Sequence, residues 1–223
     1  MKHSNEQHLE VEDRIQAFVS SACAGDIGAM RALSAAGFDV NGTDRFGDTM
    51  LERLIGDLEF CPETPKYEVI REMLRLGADP DGLSEDGSSP LFIAALNMDS
   101  EMLRILLDAG ADPNAVRMHA RDELLYDWAD FVYRYEVWSV RLPEEPTAAD
   151  RASADAWLGY LDRLAVKYSK LRPDHLRLLR ERGALTMSEF RQGVSPAHDA
   201  HNQAASRSTA WTCSGEALKF NIR

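Results

Sequence analysis

The six histidines and three cysteines of this 223-residue chain are the side chains best suited to chemistry, and their spacing argues against it. His198 and His201 stand three apart in H-D-A-H, a spacing that could share a metal on one helix face. The segment around them has no apolar period and no further ligands, so it reads as polar tail. Cys23 lies on an apolar helix face and reads as a small core residue. Cys61 falls in a loop as an incidental exposed thiol. Cys213 is far from both, and no C-x-x-C occurs. His119 is either a partner contact or solvated. His175 opens a helix and is expected at the surface. No Gly-rich phosphate loop, nucleophile elbow or H-E-x-x-H is present. Carboxylates are abundant, but nothing in their order converges two of them. The expectation is therefore no catalytic residue, no metal and no cofactor. A hydrolase using carboxylate and histidine side chains is the remotest reading.

Charge narrows the partners. The net charge is −12 and the pI about 4.9. That argues against nucleic acid and anionic membrane, since both reward a basic surface. It favours a protein partner, and a basic one where charge decides. The beginning is polar, no apolar run is long enough to cross a membrane, and the cysteine count is odd. The expected setting is therefore a reducing cytoplasm, and the chain is expected to be a monomer on its own.

The elements that must position any contact are clearest in Glu85 to Asn114, EDGSSPLFIAALNMDSEMLRILLDAGADPN. Ser89 is a good N-cap, and Pro90 sits at the first helical position, where its missing N–H costs nothing. Leu91, Ala94 and Ala95 face inward. Met98 and Asp99 break the helix, and Met102, Leu103, Leu106 and Leu107 form the stripe of a second one. Gly110 ends it in the left-handed conformation that only glycine adopts cheaply. Equivalent stops fall at Gly37, Gly77 and Gly183. The step from Gly77 to Gly110 sets the period, the step before it is slightly longer, and the step to Gly183 holds a long insertion. Met30, Ile70, Leu103 and Leu176 lie seven before each glycine, and Leu33, Met73, Leu106 and Leu179 four before. Thr49, Ser89 and Asp122 fall in register as first-helix N-caps. The D-G-x-[ST]-P-L…A-A…L-L-x-x-G-A-D-x-N pattern resembles an ankyrin repeat, most strongly over 42–114.

The expected fold is an all-α ankyrin-repeat solenoid of about four helix–turn–helix units with a long helical-hairpin insertion in the last. The repeats run about 6–41, 42–81, 82–114 and 115–185, the insertion spans about 135–170, and 186–223 is an expected flexible tail. In the insertion, Leu124, Trp128, Phe131, Tyr135 and Trp138 form one apolar seam. Trp157, Leu161, Leu164, Tyr168 and Leu171 form another, beginning after about Ala148. Two helices of some twenty residues, each spanning roughly 30 Å, should then pack antiparallel and overhang the stack.

The resemblance implies a protein-binding module acting without catalysis through fingers and a concave face. Carried over by register, the contact candidates are Arg45, Phe46 and Asp48, then Glu85, Asp86 and Ser88, then Met118, His119 and Arg121 in successive fingers. On the first helices they are Glu52, Arg53, Phe92 and Tyr126, with Tyr133 and Arg134 on a face off the seam. The alternative is an immunity protein inhibiting a cognate, basic bacterial toxin, because small acidic ankyrin proteins resemble such inhibitors and opposite charge would speed capture.

Overall fold

The computed structural model describes residues 2–115, 117–118 and 123–193, with side chains from residue 10 onward outside 116–123. His119, Arg121, the expected cap Asp122, His198, His201, Cys213 and the side chain of Met118 lie outside the described residues.

The described chain is all-α apart from a two-residue ladder. Its helices are α1 (Lys2–Cys23), α2 (Ile27–Ala35), α3 (Met50–Asp57), α4 (Lys66–Arg75), α5 (Pro90–Leu96), α6 (Ser100–Asp108), α7 (Leu125–Trp138), α8 (Ala154–Lys167), α9 (Asp174–Glu181) and α10 (Met187–Arg191). A single 3-10 turn covers Leu58–Phe60. Strand β1 (Arg117–Met118) pairs antiparallel with β2 (Glu123–Leu124). Consecutive helices pack as α1/α2, α3/α4 and α5/α6, and the last pair is α7/α9. First helices α1, α3, α5 and α7 lie side by side, as do second helices α4, α6 and α9.

Local chemistry sets the helix ends. The Asp26, Thr49, Ser89 and Asp99 side chains each accept from the backbone N–H three residues on, at 2.9, 3.2, 3.2 and 3.0 Å. Each satisfies a donor that the helix start would otherwise leave unmet. At the other end Gly37, Gly77, Gly110 and Gly183 all have positive φ. That left-handed conformation closes each second helix. The last first-helix departs from the expected register: α7 starts at Leu125, and Asp127 caps it by accepting from the Leu124 N–H at 3.2 Å.

Neighbouring repeats are stitched by one side chain each, four residues after the closing glycine. Asn41 Nδ2 donates to the Gly77 carbonyl at 2.9 Å while its Oδ1 accepts from the Asp79 N–H at 2.7 Å. Asn114 does the same to the Gly183 carbonyl at 3.0 Å and the Leu185 N–H at 2.8 Å. That clasp spans 69 residues and seats α9 beside α6 as though nothing intervened. Asp81, between them, accepts from the Asp112 N–H at 2.9 Å but has no proton for the Gly110 carbonyl. Burial raises its pKa despite that bond, and Asp112 and Asp79 add to the rise. Asp81→Asn should supply the missing donor and remove the charge, a gain of about 0.5–1.5 kcal/mol. Asn114→Asp should cost about 1–3 kcal/mol by leaving a carbonyl unmet. Urea melts of both variants check this, and a destabilised Asp81→Asn would contradict the clasp.

The insertion differs from expectation. Helices α7 and α8 have 14 residues each. Left-handed Ser139 and Val140 stop α7, and Ser153 starts α8 later than expected, at Ala154. The two helices touch through side chains: Trp157 Nε1 donates to Asp130 at 2.8 Å, and Trp138 meets Tyr168 edge-on at 6.2 Å. Helix α9 packs against both. The expected seam ends, Tyr168 and Leu171, are exposed. Past residue 185 the chain continues into α10, begun by a capping box in which Thr186 and Glu189 satisfy each other's backbone N–H. Arg180 of α9 grips Glu189 at 2.7 and 3.0 Å.

Candidate functional site

The turn at 43–49 is built around one buried carboxylate. Asp44 accepts from the Phe46 N–H at 2.8 Å, the Asp48 N–H at 3.1 Å and Arg53 Nη1 at 3.1 Å. This Asx-type turn, closed by Gly47 in the left-handed region, leaves Phe46 no way to reach the core. Its ring is 67% exposed. The Arg45 guanidinium stands 4.6 Å from the ring centre, a cation–π distance. In the next turn, 83–88, Ser84 stands where Asp44 does, and the exposed Asp86 accepts from the Ser88 N–H at 2.9 Å and its hydroxyl at 2.5 Å. The Ser88 bonds hold the Asp86 carboxyl below its ordinary range. Fingers meet where the Glu85 N–H donates to the Gly47 carbonyl at 3.0 Å. A Cβ on Gly47 would lie 2.5 Å from Glu85 Cγ, so the contact requires glycine twice over.

Of the expected contacts, Arg45, Phe46, Glu85 and Asp86 are exposed. Asp48 is half-buried, and burial followed by Asp44 and Asp86 raises its pKa. Arg53 is half-buried between Asp44 and Asp57, and Arg134 is tied to Asp130 at 2.9 Å.

Five candidates are interior and need correction. Glu52 is buried beneath the fingers, where Ser84 donates to it and the Ser88 hydroxyl, whose one proton it shares with Asp86, lies 2.5 Å away. Burial raises its pKa and those hydroxyls oppose the rise. Ser88 is buried with it, and Phe92 packs into the main core. Tyr126 and Tyr133 are 2% and 0% exposed. Both faces of α7 are apolar, and the tertiary partners chose between them. Tyr133 donates to the Leu171 carbonyl at 2.6 Å and lies 5.6 Å from His175, while Arg180 sits 5.4 Å from the Tyr126 ring. Of the face expected inside, Leu124 and Trp138 at its ends are buried, while its middle is partly exposed. Trp128, Phe131 and Tyr135 stack at 5.4 and 6.3 Å, with Tyr135 56% exposed. Counting four from Thr49, Ser89 and Leu124 places Arg53, Ile93 and Trp128 in one row, and counting seven places Gly56, Leu96 and Phe131 in the next. All six are half-buried. Only the true start of α7 reveals this alignment, because its finger is two residues longer.

His175, expected at the surface, is 1% exposed. Asp127 and Asp130 share an open cleft of about 290 Å³ with Tyr126, Ser153 and Trp157. Both are occupied structurally. Asp127 also accepts from the Met187 N–H at 2.8 Å, and Asp130 takes Trp157 and Arg134 on its two oxygens. Burial raises the Asp130 pKa. Among the described residues no group of three His, Cys, Asp or Glu could hold a metal ion.

The ankyrin-repeat family model matches residues 86–117, the stretch holding α5, α6 and the Asn114 clasp. YahD of Escherichia coli (strain K12), named as an ankyrin repeat protein, is similar at 29% identity over 99 residues, 44% of this chain and 46% of its own length. The chain carries an ankyrin repeat. The match spans about half the length of this relative. Ankyrin repeats typically bind other proteins and are generally non-catalytic. Among the described residues no helix is long and apolar enough to cross a membrane.

Proposed function

We propose that this ankyrin-repeat protein recognises another protein through the finger tips at 45–48 and 85–86 and the half-exposed rows of its first helices. The repeat domain in this reading takes in residues 1–185 and the α10 cap that follows. The observation that carries it is Phe46. A large ring held in water by a buried aspartate's hydrogen bonds gives the fold nothing, whereas an aromatic beside an arginine is the composition of a binding anchor. The stacked Trp128, Phe131 and Tyr135 would give a second anchor farther along the same row of helices.

The test is affinity capture with the full chain, followed by titration of the captured partner. Phe46→Ala should weaken binding at least tenfold, about 1.4 kcal/mol or more, with the thermal midpoint unchanged. Undiminished affinity in an Arg45→Ala/Phe46→Ala double variant would remove the finger from the interface.

The net charge of −12 favours a second, sharper reading: an immunity protein that captures a basic toxin, steered by carboxylates such as Glu85 and Asp86. Co-expression with the product of the neighbouring gene tests it. Neither a complex nor protection from toxicity would end that version while leaving general protein recognition standing.

A further inference from the structure

We propose that Cys23 and Cys61 are an oxidative modification site, forming a reversible disulfide that ties the loop after α3 to the end of α1. The two residues are distant in sequence, and folding sets them side by side: Thr64 bridges them, its N–H donating to the Cys61 carbonyl at 3.0 Å and its hydroxyl to the Cys23 carbonyl. Cys23 ends α1, and Cys61 follows the 3-10 turn with its Sγ 3.5 Å from the Asp57 carbonyl. The rest of the loop is docked in the same place. Thr64 donates its hydroxyl to the Cys23 carbonyl, and Pro65 Cδ lies 3.2 Å from where a Cβ on Gly25 would stand. Both cysteines pack against the main core while remaining half-buried, so a small oxidant reaches them and the backbone around them is already in place.

A peroxide supplies the oxidant. The Cys61 thiolate attacks one peroxide oxygen; the O–O bond breaks, the other oxygen leaves as water after taking a proton, and Cys61 becomes a sulfenic acid. Cys23 then attacks that sulfur; the S–O bond breaks, the hydroxide takes the Cys23 proton, and a second water leaves. The net change is two thiols and one peroxide to one disulfide and two waters. Burial, then the neighbouring Cys61 thiol, pushes the Cys23 pKa up, which keeps Cys23 protonated at neutral pH and assigns it the resolving role. The bond would fix the loop that carries Phe60, whose ring is 87% exposed.

The full-length protein, with Cys213→Ser to remove the third thiol, is treated with hydrogen peroxide, alkylated and digested without reductant. Mass spectrometry should find a peptide joining Cys23 to Cys61, lost on adding dithiothreitol. The thermal midpoint should rise by about 5–10 °C on oxidation, and the rise should vanish in a further Cys61→Ser variant. Sulfinic acid at Cys61 with Cys23 still open to alkylation would overturn the proposal, and so would a joined peptide without any rise in midpoint. If Cys61→Ser fails to fold, the joined peptide and the midpoint of the Cys213→Ser protein decide alone.

Discussion

Tyr133→Ala is expected to destabilise the protein by about 3–5 kcal/mol, the cost of removing a large, fully buried aromatic and leaving its cavity. The ring is 0% exposed, lies 5.6 Å from His175, and its hydroxyl donates to the Leu171 carbonyl at 2.6 Å. Burial pushes the phenol pKa up to about 12, so it remains a donor at any working pH. One side chain thus joins α7 to α9 and to the segment returning from the insertion. Tyr133→Phe isolates the hydrogen bond and should cost about 1–2 kcal/mol, because the carbonyl loses its donor. Urea denaturation of both variants measures the pair. A Tyr133→Ala protein as stable as wild type would mean that the ring faces outward, as the aromatic spacing alone suggests.

Acidification should cost about 3 kcal/mol through His175. Its imidazole is buried, its Nε2 has no hydrogen-bond partner among the described residues, and burial lowers its pKa from 6.5 to about 4. The folded protein therefore favours the neutral ring, and below pH 6.5 the unfolded chain takes up a proton that the folded chain refuses. The contribution is fully present above pH 6.5 and is lost progressively as pH falls to about 4. Carboxylates titrate in the same range, so the measurement is a difference. Stability is followed from neutral pH down to about 4 for wild type and for His175→Phe, which keeps an aromatic against Tyr133. The variant should lose about 3 kcal/mol less over that range, and parallel curves would refute the assignment.

The helix ends are readable because their causes are local. Ser89 and Thr49 cap within three residues, and the glycines at 37, 77, 110 and 183 close helices wherever they are placed. The capping box at Thr186 and Glu189 is the same kind of signal, without an apolar period around it to mark the helix that follows. The fingers are legible as turns, but which of their residues stay in water is not. Asp48 and Ser88 hold the same place in successive turns, yet Asp48 stays half-exposed while Ser88 is drawn under by Glu52 from the preceding repeat.

By itself the amino-acid order determined an all-helical, glycine-punctuated stack, because each cap and each stop is settled within one turn of chain. Tertiary structure alone decided which face of α7 is interior, why His175 is neutral and that two distant cysteines share one neighbourhood. An aromatic helix apolar on both sides satisfies its own periodicity either way up, and only the Leu171 carbonyl, Arg180 and the packing of α9 distinguish the two. Contacts as distant in sequence as Tyr133 to Leu171 or Thr64 to Cys23 leave no local trace. What selects them is the burial and hydrogen bonding available after the units have stacked.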